Sequence, residues 1–138
     1  MNINDIKWPA DKKDAVKHLV SFQLKVLERL EIDFGEYKHD PIFLVKSYIE
    51  NEIIANDYGS QVDIWWGFLE KNDKLRDFQS RDALMARIAI SLLSVKEEIV
   101  ADIGDHLSWF LELIFMLDKD GGAVGMMKAY FKFDQKIE

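Results

Sequence analysis

The chain has 138 residues, a net charge of −7 at pH 7 and no cysteine. This length fits one domain with a self-sufficient core, and the lack of cysteine excludes disulfides, thiolate zinc sites and cysteine nucleophiles. The acidic excess disfavours binding to nucleic-acid phosphates and to anionic membrane surfaces, so we expect no nucleic acid and no membrane among the partners.

The N-terminal residues, MNINDIKWPADKK, lack the long apolar run of a signal peptide. Apolar stretches elsewhere are too short, or too often interrupted by charges, to span a bilayer. We therefore expect a cytoplasmic protein. Its charge is unevenly distributed, since residues 35 to 75 carry eight acidic and four basic side chains.

The first two helices are indicated by apolar spacing and by their start signals. Apolar residues at intervals of three and four after Pro9 predict a helix over residues 10 to 33, which Gly35 would stop. Asp40 followed by Pro41 predicts a second helix, because Asp caps a helix and Pro is favoured at its first position. This helix should end before Gly59.

The third helix should begin at Ser60 and run to about Asn72, and it contains two adjacent tryptophans. Successive residues of a helix diverge by about 100°, so one core cannot bury both indoles equally. Trp65 lies at the centre of the apolar arc and is predicted to be buried. Trp66 lies at its edge, beside Asp63 and Glu70. Gly67 weakens the helix by about 1 kcal/mol, which suggests close backbone packing or a local break.

The sequence pattern of the C-terminal half predicts two or three helices. Ser80-Arg81-Asp82 predicts the start of a long helix that ends at Gly104, and Asp105 would cap the next one. That next helix, HLSWFLELIFML, is apolar around most of its circumference and is predicted to be central. The last segment, AVGMMKAYFKF, fits a helix or a short hairpin, and we favour the helix. The expected fold is an all-α, single-domain bundle of five to six helices over residues 1 to 138.

Catalytic and cofactor motifs are missing. His18, His39 and His106 form no HExxH zinc motif, and the spacing of His18 from Asp14 and of His106 from Asp102 suggests local pairs. Asp118 and Asp120 match the first and third positions of an EF-hand calcium loop, but the later positions do not match. Neither a phosphate loop nor a serine nucleophile elbow occurs. We expect no enzyme, no catalytic residue, no bound metal and no cofactor.

The surface around Trp66 is the candidate site. An exposed tryptophan among carboxylates suits a protein partner, because indole gives a large contact area and the charges attract a basic surface. The alternative is that Trp66 packs beneath a loop or the C-terminal tail. The candidate partner-binding residues are Trp66, Asp63, Glu70, Asp73, Tyr58, Asp57, Glu50 and Glu52.

This small, cysteine-free, acidic and all-helical chain, with its aromatic and carboxylate-rich surface, resembles bacterial immunity proteins of contact-dependent inhibition and polymorphic-toxin systems. The resemblance implies a non-catalytic inhibitor that binds and neutralises a basic toxin domain, such as a nuclease, by occupying the cationic groove that holds phosphates. Two alternatives remain: an acidic adaptor subunit, and a helical bundle that binds a metal or small ligand through Glu98, Asp102 and His106. The oligomeric state is open.

Overall fold

A computed structural model of the chain describes residues 3–51, 61–95, 102–117 and 122–133. These residues form six α-helices and no β-sheet, which confirms the predicted all-α bundle. A short 3-10 turn at Ile3–Asp5 precedes the first helix. The helices are α1 (Lys12–Arg29), α2 (Pro41–Ile49), α3 (Gln61–Lys71), α4 (Arg81–Leu93), α5 (Ile103–Leu117) and α6 (Ala123–Tyr130).

Polar side chains cap the starts of three helices. The Asp40 carboxylate accepts a hydrogen bond from the Ile42 N–H at 2.9 Å, and the Ser80 hydroxyl accepts one from the Ala83 N–H at 3.3 Å. Both caps satisfy backbone donors that a helix leaves unpaired, as the sequence predicted. The start of α1 is capped by Asp11, so this helix begins at Lys12, shortly after the predicted start at residue 10.

The end of α1 differs from the prediction. This helix ends at Arg29, and Glu31 then adopts a positive φ of 57° that usually favours glycine. The Ile32 N–H reaches back to the Leu27 carbonyl at 2.8 Å, and the Ile32 side chain is buried. Burial of this apolar side chain offsets the strained backbone. Gly35, the predicted stop, lies in the loop that follows.

The centre of the bundle is α4 rather than the predicted segment within α5. Every side chain from Ala83 to Leu93 is buried, and α4 packs against α2, α3 and α5. Three alanines spaced three residues apart, Ala83, Ala86 and Ala89, lie along one side of this helix and let a neighbour approach closely there. By contrast, α5 leaves Phe115 and Met116 exposed near its C-terminal end.

The boundary between α4 and α5 also differs from the prediction. The helix that begins after Ser80 ends at Leu93, where the Ser94 hydroxyl donates a hydrogen bond to the Ile90 carbonyl at 2.6 Å. Gly104 and Asp105 therefore lie inside the first turn of α5 and neither stop one helix nor cap the next.

The C-terminal segment is mainly helical, as favoured, and its described residues form no hairpin. Residues 123 to 130 form α6, and Phe133 then pairs in an isolated antiparallel bridge with Ile6 near the other end of the chain. The His18 ring stacks on the Tyr130 ring with centroids 4.8 Å apart and meets Phe131 edge-on. This aromatic cluster replaces the predicted pairing of His18 with Asp14.

The buried apolar side chains form one cluster to which all six described helices contribute. Within the described segments, no helix is both long enough and apolar enough to cross a bilayer.

One fully buried polar side chain generates a stability prediction. The Gln23 amide on α1 makes no hydrogen bond to any described part of the chain. A buried amide without partners is costly, so Gln23→Met should raise the free energy of unfolding by about 1 kcal/mol in chemical denaturation. Ser91→Ala is the matched control. The buried Ser91 hydroxyl already donates a hydrogen bond to the Ile88 carbonyl at 2.8 Å, so its removal should not raise the free energy of unfolding. A clear loss of stability in Gln23→Met would contradict the assignment.

The aromatic cluster around His18 generates a pH prediction. Burial, followed by the charge of Lys132, lowers the pKa of His18 below its usual value. The folded state therefore favours neutral imidazole, so the contribution of His18 is present above a pH of about 6.5 and is lost as the pH falls. His18→Phe keeps a ring in the cluster without a titrating group. Its melting temperature should fall less than that of the wild type between pH values of about 8 and 5, and equal falls would contradict the prediction.

Candidate functional site

The two adjacent tryptophans of α3 occupy different environments. Trp65 is 3% exposed and packs edge-on against Phe34 and Tyr37, with ring centroids 5.6 Å apart in each pair. Trp66 is 39% exposed. A rotation of about 100° between neighbouring residues accounts for this difference. The exposure of Trp66 is contrary to the alternative prediction, in which a loop or the C-terminal tail buries its indole.

Carboxylates flank the Trp66 indole on the exposed side of α3. Asp63 precedes Trp66 by three residues and Glu70 follows it by four, so these side chains share one side of the helix. Both are exposed. We call the surface formed by Asp63, Trp66, Gly67 and Glu70 the α3 face. It brings together three of the residues that the sequence placed in a partner-binding site.

Two of the other predicted site residues lie in the described part of the chain. Asp73 is exposed in the turn after α3 with a positive φ of 56°, and Glu50 is the residue that follows α2 at its C-terminal end. Asp73 adjoins the end of the α3 face, because its N–H donates a hydrogen bond to the Glu70 carbonyl at 3.1 Å, whereas Glu50 belongs to the end of another helix. Three further predicted residues fall outside the described part of the chain: Glu52, Asp57 and Tyr58.

Gly67 leaves an open area in the α3 face. A Cβ atom built on this residue would meet nothing within 4 Å, and the helix continues to Lys71. The expectation of close packing or a helix break at Gly67 is therefore wrong. The residue instead leaves the backbone next to Trp66 uncovered.

The loop between α3 and α4 is held by Arg87, a residue that the sequence analysis missed. Its guanidinium is buried and donates hydrogen bonds to the carbonyls of Leu75 at 2.8 Å, Lys74 at 3.3 Å and Asp77. The Phe78 ring stacks 3.9 Å from the guanidinium. A single arginine within the apolar run ALMARIAISLL was the available signal.

Asp77 also stabilises the loop between α3 and α4, through hydrogen bonds to its backbone. Its carboxylate accepts hydrogen bonds from the N–H groups of Ser80 and Gln79, each at 2.9 Å. These bonds, Ser80 first, hold the pKa of Asp77 well below its usual range. The loop therefore connects α3 to α4 with a defined geometry.

An aromatic cleft of about 240 Å³ opens beside α3, on the edge opposite Trp66. Its walls include Tyr37, Ile64, Trp65 and Phe68. The Tyr37 hydroxyl donates a hydrogen bond to the Asp82 carboxylate at 2.6 Å. Burial, and then this bond, raise the pKa of Tyr37 above its usual value and keep the phenol neutral.

A second concave surface of about 460 Å³ lies where the end of α1, the loop after it and the start of α2 meet. We call it the acid-rimmed groove. It is lined by the apolar residues Leu24, Leu27, Ile32, Phe34 and Ile42, by the charged residues Glu28, Asp33, Asp40 and Lys46, and by Gly35. No sequence motif marks it, because its members come from three separate segments.

Two of the three residues of the alternative metal site lie in the described part of the chain. Within the described segments, no group of three or more His, Asp or Glu side chains is arranged to hold a metal ion. Asp102 and His106 lie at the start of α5, whereas Glu98 falls outside those segments. Burial lowers the pKa of His106, and the carboxylates of Asp102 and Asp105 oppose this effect.

Comparisons of the chain with models of protein families, with curated proteins and with solved structures find no match. A function is therefore proposed from the geometry and chemistry of these surfaces.

The open position of Gly67 generates a prediction. Gly67→Ala should raise the free energy of unfolding by about 0.5 to 1 kcal/mol, because alanine lowers the entropy of the unfolded chain and favours the helix. Gly125→Ala in α6 is the matched control, since its Cβ would also meet nothing within 4 Å. Chemical denaturation should show a gain in both variants. A loss confined to Gly67→Ala would restore the close-packing interpretation.

Proposed function

We propose that this chain is a non-catalytic inhibitor of the immunity-protein type, which binds and neutralises a basic toxin domain, such as a nuclease. The observation that carries the proposal is the Trp66 indole, 39% exposed on a helix whose other side is anchored in the core. Asp63 and Glu70 flank this indole with negative charge. The surface thus combines a large apolar contact with an attraction for cations.

The two parts of the α3 face have different roles in binding. Burial of the remaining indole surface supplies affinity, because tryptophan contributes a large area with few rotatable bonds. The carboxylates accelerate encounter with a basic partner and orient it, an effect that weakens as salt rises. The net charge of −7 adds a longer-range attraction of the same sign.

Neutralisation follows from charge mimicry. A nuclease holds the phosphates of its substrate in a groove lined by lysine and arginine side chains. Carboxylates presented on a rigid helix would occupy that groove and exclude the substrate. The anchored loop after α3 supports this role, because a surface that is ordered before binding loses less entropy on association.

The aromatic cleft favours a second candidate function, the binding of a small apolar ligand. Its volume of about 240 Å³ and its walls of Tyr37, Trp65 and Phe68 suit a molecule with one planar ring system. Titration with indole, followed by the NMR signals of Ile64 and Phe68, separates the two candidates. Submillimolar binding that is unchanged in Trp66→Ala would favour the ligand-binding function.

Calorimetry with a basic toxin domain tests the proposed function. The probe is the purified basic C-terminal domain of any secreted protein whose gene adjoins the gene of this protein. We expect Trp66→Ala to weaken the complex by about tenfold or more, because a central tryptophan anchor is typically worth at least about 2 kcal/mol. Asp63→Lys should slow association and reduce its dependence on salt.

Phe115→Ala is the matched control, since Phe115 is 59% exposed but lies on α5. It should leave affinity unchanged, and all three variants should melt within a few degrees of the wild type. Wild-type chain, but not Trp66→Ala, should also restore growth to cells that express the toxin domain. Equal affinity losses for Trp66→Ala and Phe115→Ala, or no binding to any basic neighbour, would refute the proposal.

A further inference from the structure

The acid-rimmed groove joins an apolar floor to a negatively charged edge. Leu27 and Ile32 are buried at its base, with Leu24 and Ile42 half-buried beside them. Three carboxylates and one ammonium group line it, which gives an acidic excess at the rim: Glu28, Asp33 and Asp40 against Lys46.

Two of the three carboxylates are fixed by the backbone. One oxygen of Asp33 accepts a hydrogen bond from the Gly35 N–H at 2.9 Å, and one oxygen of Asp40 accepts a bond from the Ile42 N–H, also at 2.9 Å. A Cβ on Gly35 would lie 3.1 Å from the Asp33 oxygen, so glycine leaves room for the first arrangement. Each carboxylate keeps a second oxygen with acceptor capacity.

This combination selects one kind of occupant. A neutral apolar group would cover the floor but would remove water from the carboxylates without replacing its hydrogen bonds. An anion would be repelled by the rim. An arginine or lysine side chain satisfies both parts, because its aliphatic stem covers apolar surface while its charged end bonds carboxylates.

We propose that the acid-rimmed groove receives an arginine or lysine side chain of the partner protein, and this inference rests on the proposed function because that function supplies a basic partner. Continuity of the surface connects the groove to α3. Asp40 also lines an adjoining depression of about 360 Å³, together with Lys38 and His39. This depression extends past Phe43, which is 66% exposed, to Gln61 at the start of α3. Gln61 lies about 140° or more around the helix from each side chain of the α3 face, and the depression shares Lys38 and His39 with the aromatic cleft. The groove and the α3 face are therefore separate contacts on two sides of α3.

NMR titration of the labelled protein tests the groove without the partner. The probes are n-butylguanidinium and n-butylammonium, which reproduce the two cationic side chains, and n-butanol serves as the neutral control. We expect shifts of the amide signals of Leu24, Asp33, Gly35 and Ile42, with each cation binding about tenfold more tightly than the alcohol. The guanidinium should bind more tightly if two-pronged contact with a carboxylate is made.

The double variant Asp33→Asn/Asp40→Asn removes both charges but keeps an oxygen to accept each backbone hydrogen bond. It should melt near the wild-type temperature and weaken cation binding by about tenfold. Asp63→Asn on the α3 face should leave binding in the groove unchanged. Equal binding of cations and alcohol, or cation binding that survives the double variant, would overturn the proposal.

The toxin complex separates this inference from the proposed function. Weakening by both the double variant and Trp66→Ala supports the groove as a second contact. Weakening by Trp66→Ala alone overturns the groove inference and leaves the proposed function standing. Cation binding in the groove without any toxin complex would instead refute the basic protein as its occupant.

Discussion

A buried arginine determines how α3 sits on the rest of the molecule. Arg87 projects from α4, which is buried from Ala83 to Leu93, and a charge in such a position is stable only if its donors are satisfied. Three carbonyls of the loop before α4 supply this bonding, and the Phe78 ring covers the guanidinium. The loop cannot move away without leaving a buried charge unpaired. The end of α3 is therefore held to the central helix.

The placement of the tryptophans follows from this attachment. With the end of α3 fixed and Leu69 fully buried, the helix turns Trp65 into the aromatic cluster with Phe34 and Tyr37. Trp66 then faces outwards beside Asp63 and Glu70. Helical geometry separates the two identical neighbours, so that one lies in the core and the other is exposed. A rigid support for an exposed indole is the property that a tight and selective protein contact requires.

The α3 face and the acid-rimmed groove share one chemical preference. Each places an apolar contact next to carboxylates, and negative charge of this kind attracts a cationic surface and repels an anionic one. Proposed contacts at two positions would fix both the location and the orientation of a partner. Such an arrangement gives selectivity that a single tryptophan anchor would not provide.

Local chemistry made several features predictable from the sequence, whereas tertiary packing determined the others. The caps at Asp40 and Ser80 depend on neighbouring residues, and the exposure of Trp66 follows from helical periodicity. The end of α1 was not predictable, because Glu31 adopts a glycine-like φ that burial of Ile32 compensates.

Packing also decided which helix is central. The hydrophobicity of the α5 segment suggested the centre of the bundle, but α4 holds that position, because it is buried around its whole circumference and packs against α2, α3 and α5. The site itself was partly accessible, since the α3 face lies within one helix. Arg87, Tyr37 and the acid-rimmed groove depend on contacts between distant segments, which spacing along the chain does not reveal.

The most direct measurement of the central claim is the accessibility of each indole to charged paramagnetic agents in protein labelled with 5-fluorotryptophan. The fluorine signal of Trp66 is assigned by its loss in Trp66→Phe, and that of Trp65 by its loss in Trp65→Phe. We predict that a cationic agent broadens the Trp66 signal more than an anionic agent of equal size does, and that neither agent broadens the Trp65 signal comparably. A Trp66 signal as protected as that of Trp65, or one broadened more by the anion, would contradict an accessible indole on an acidic face.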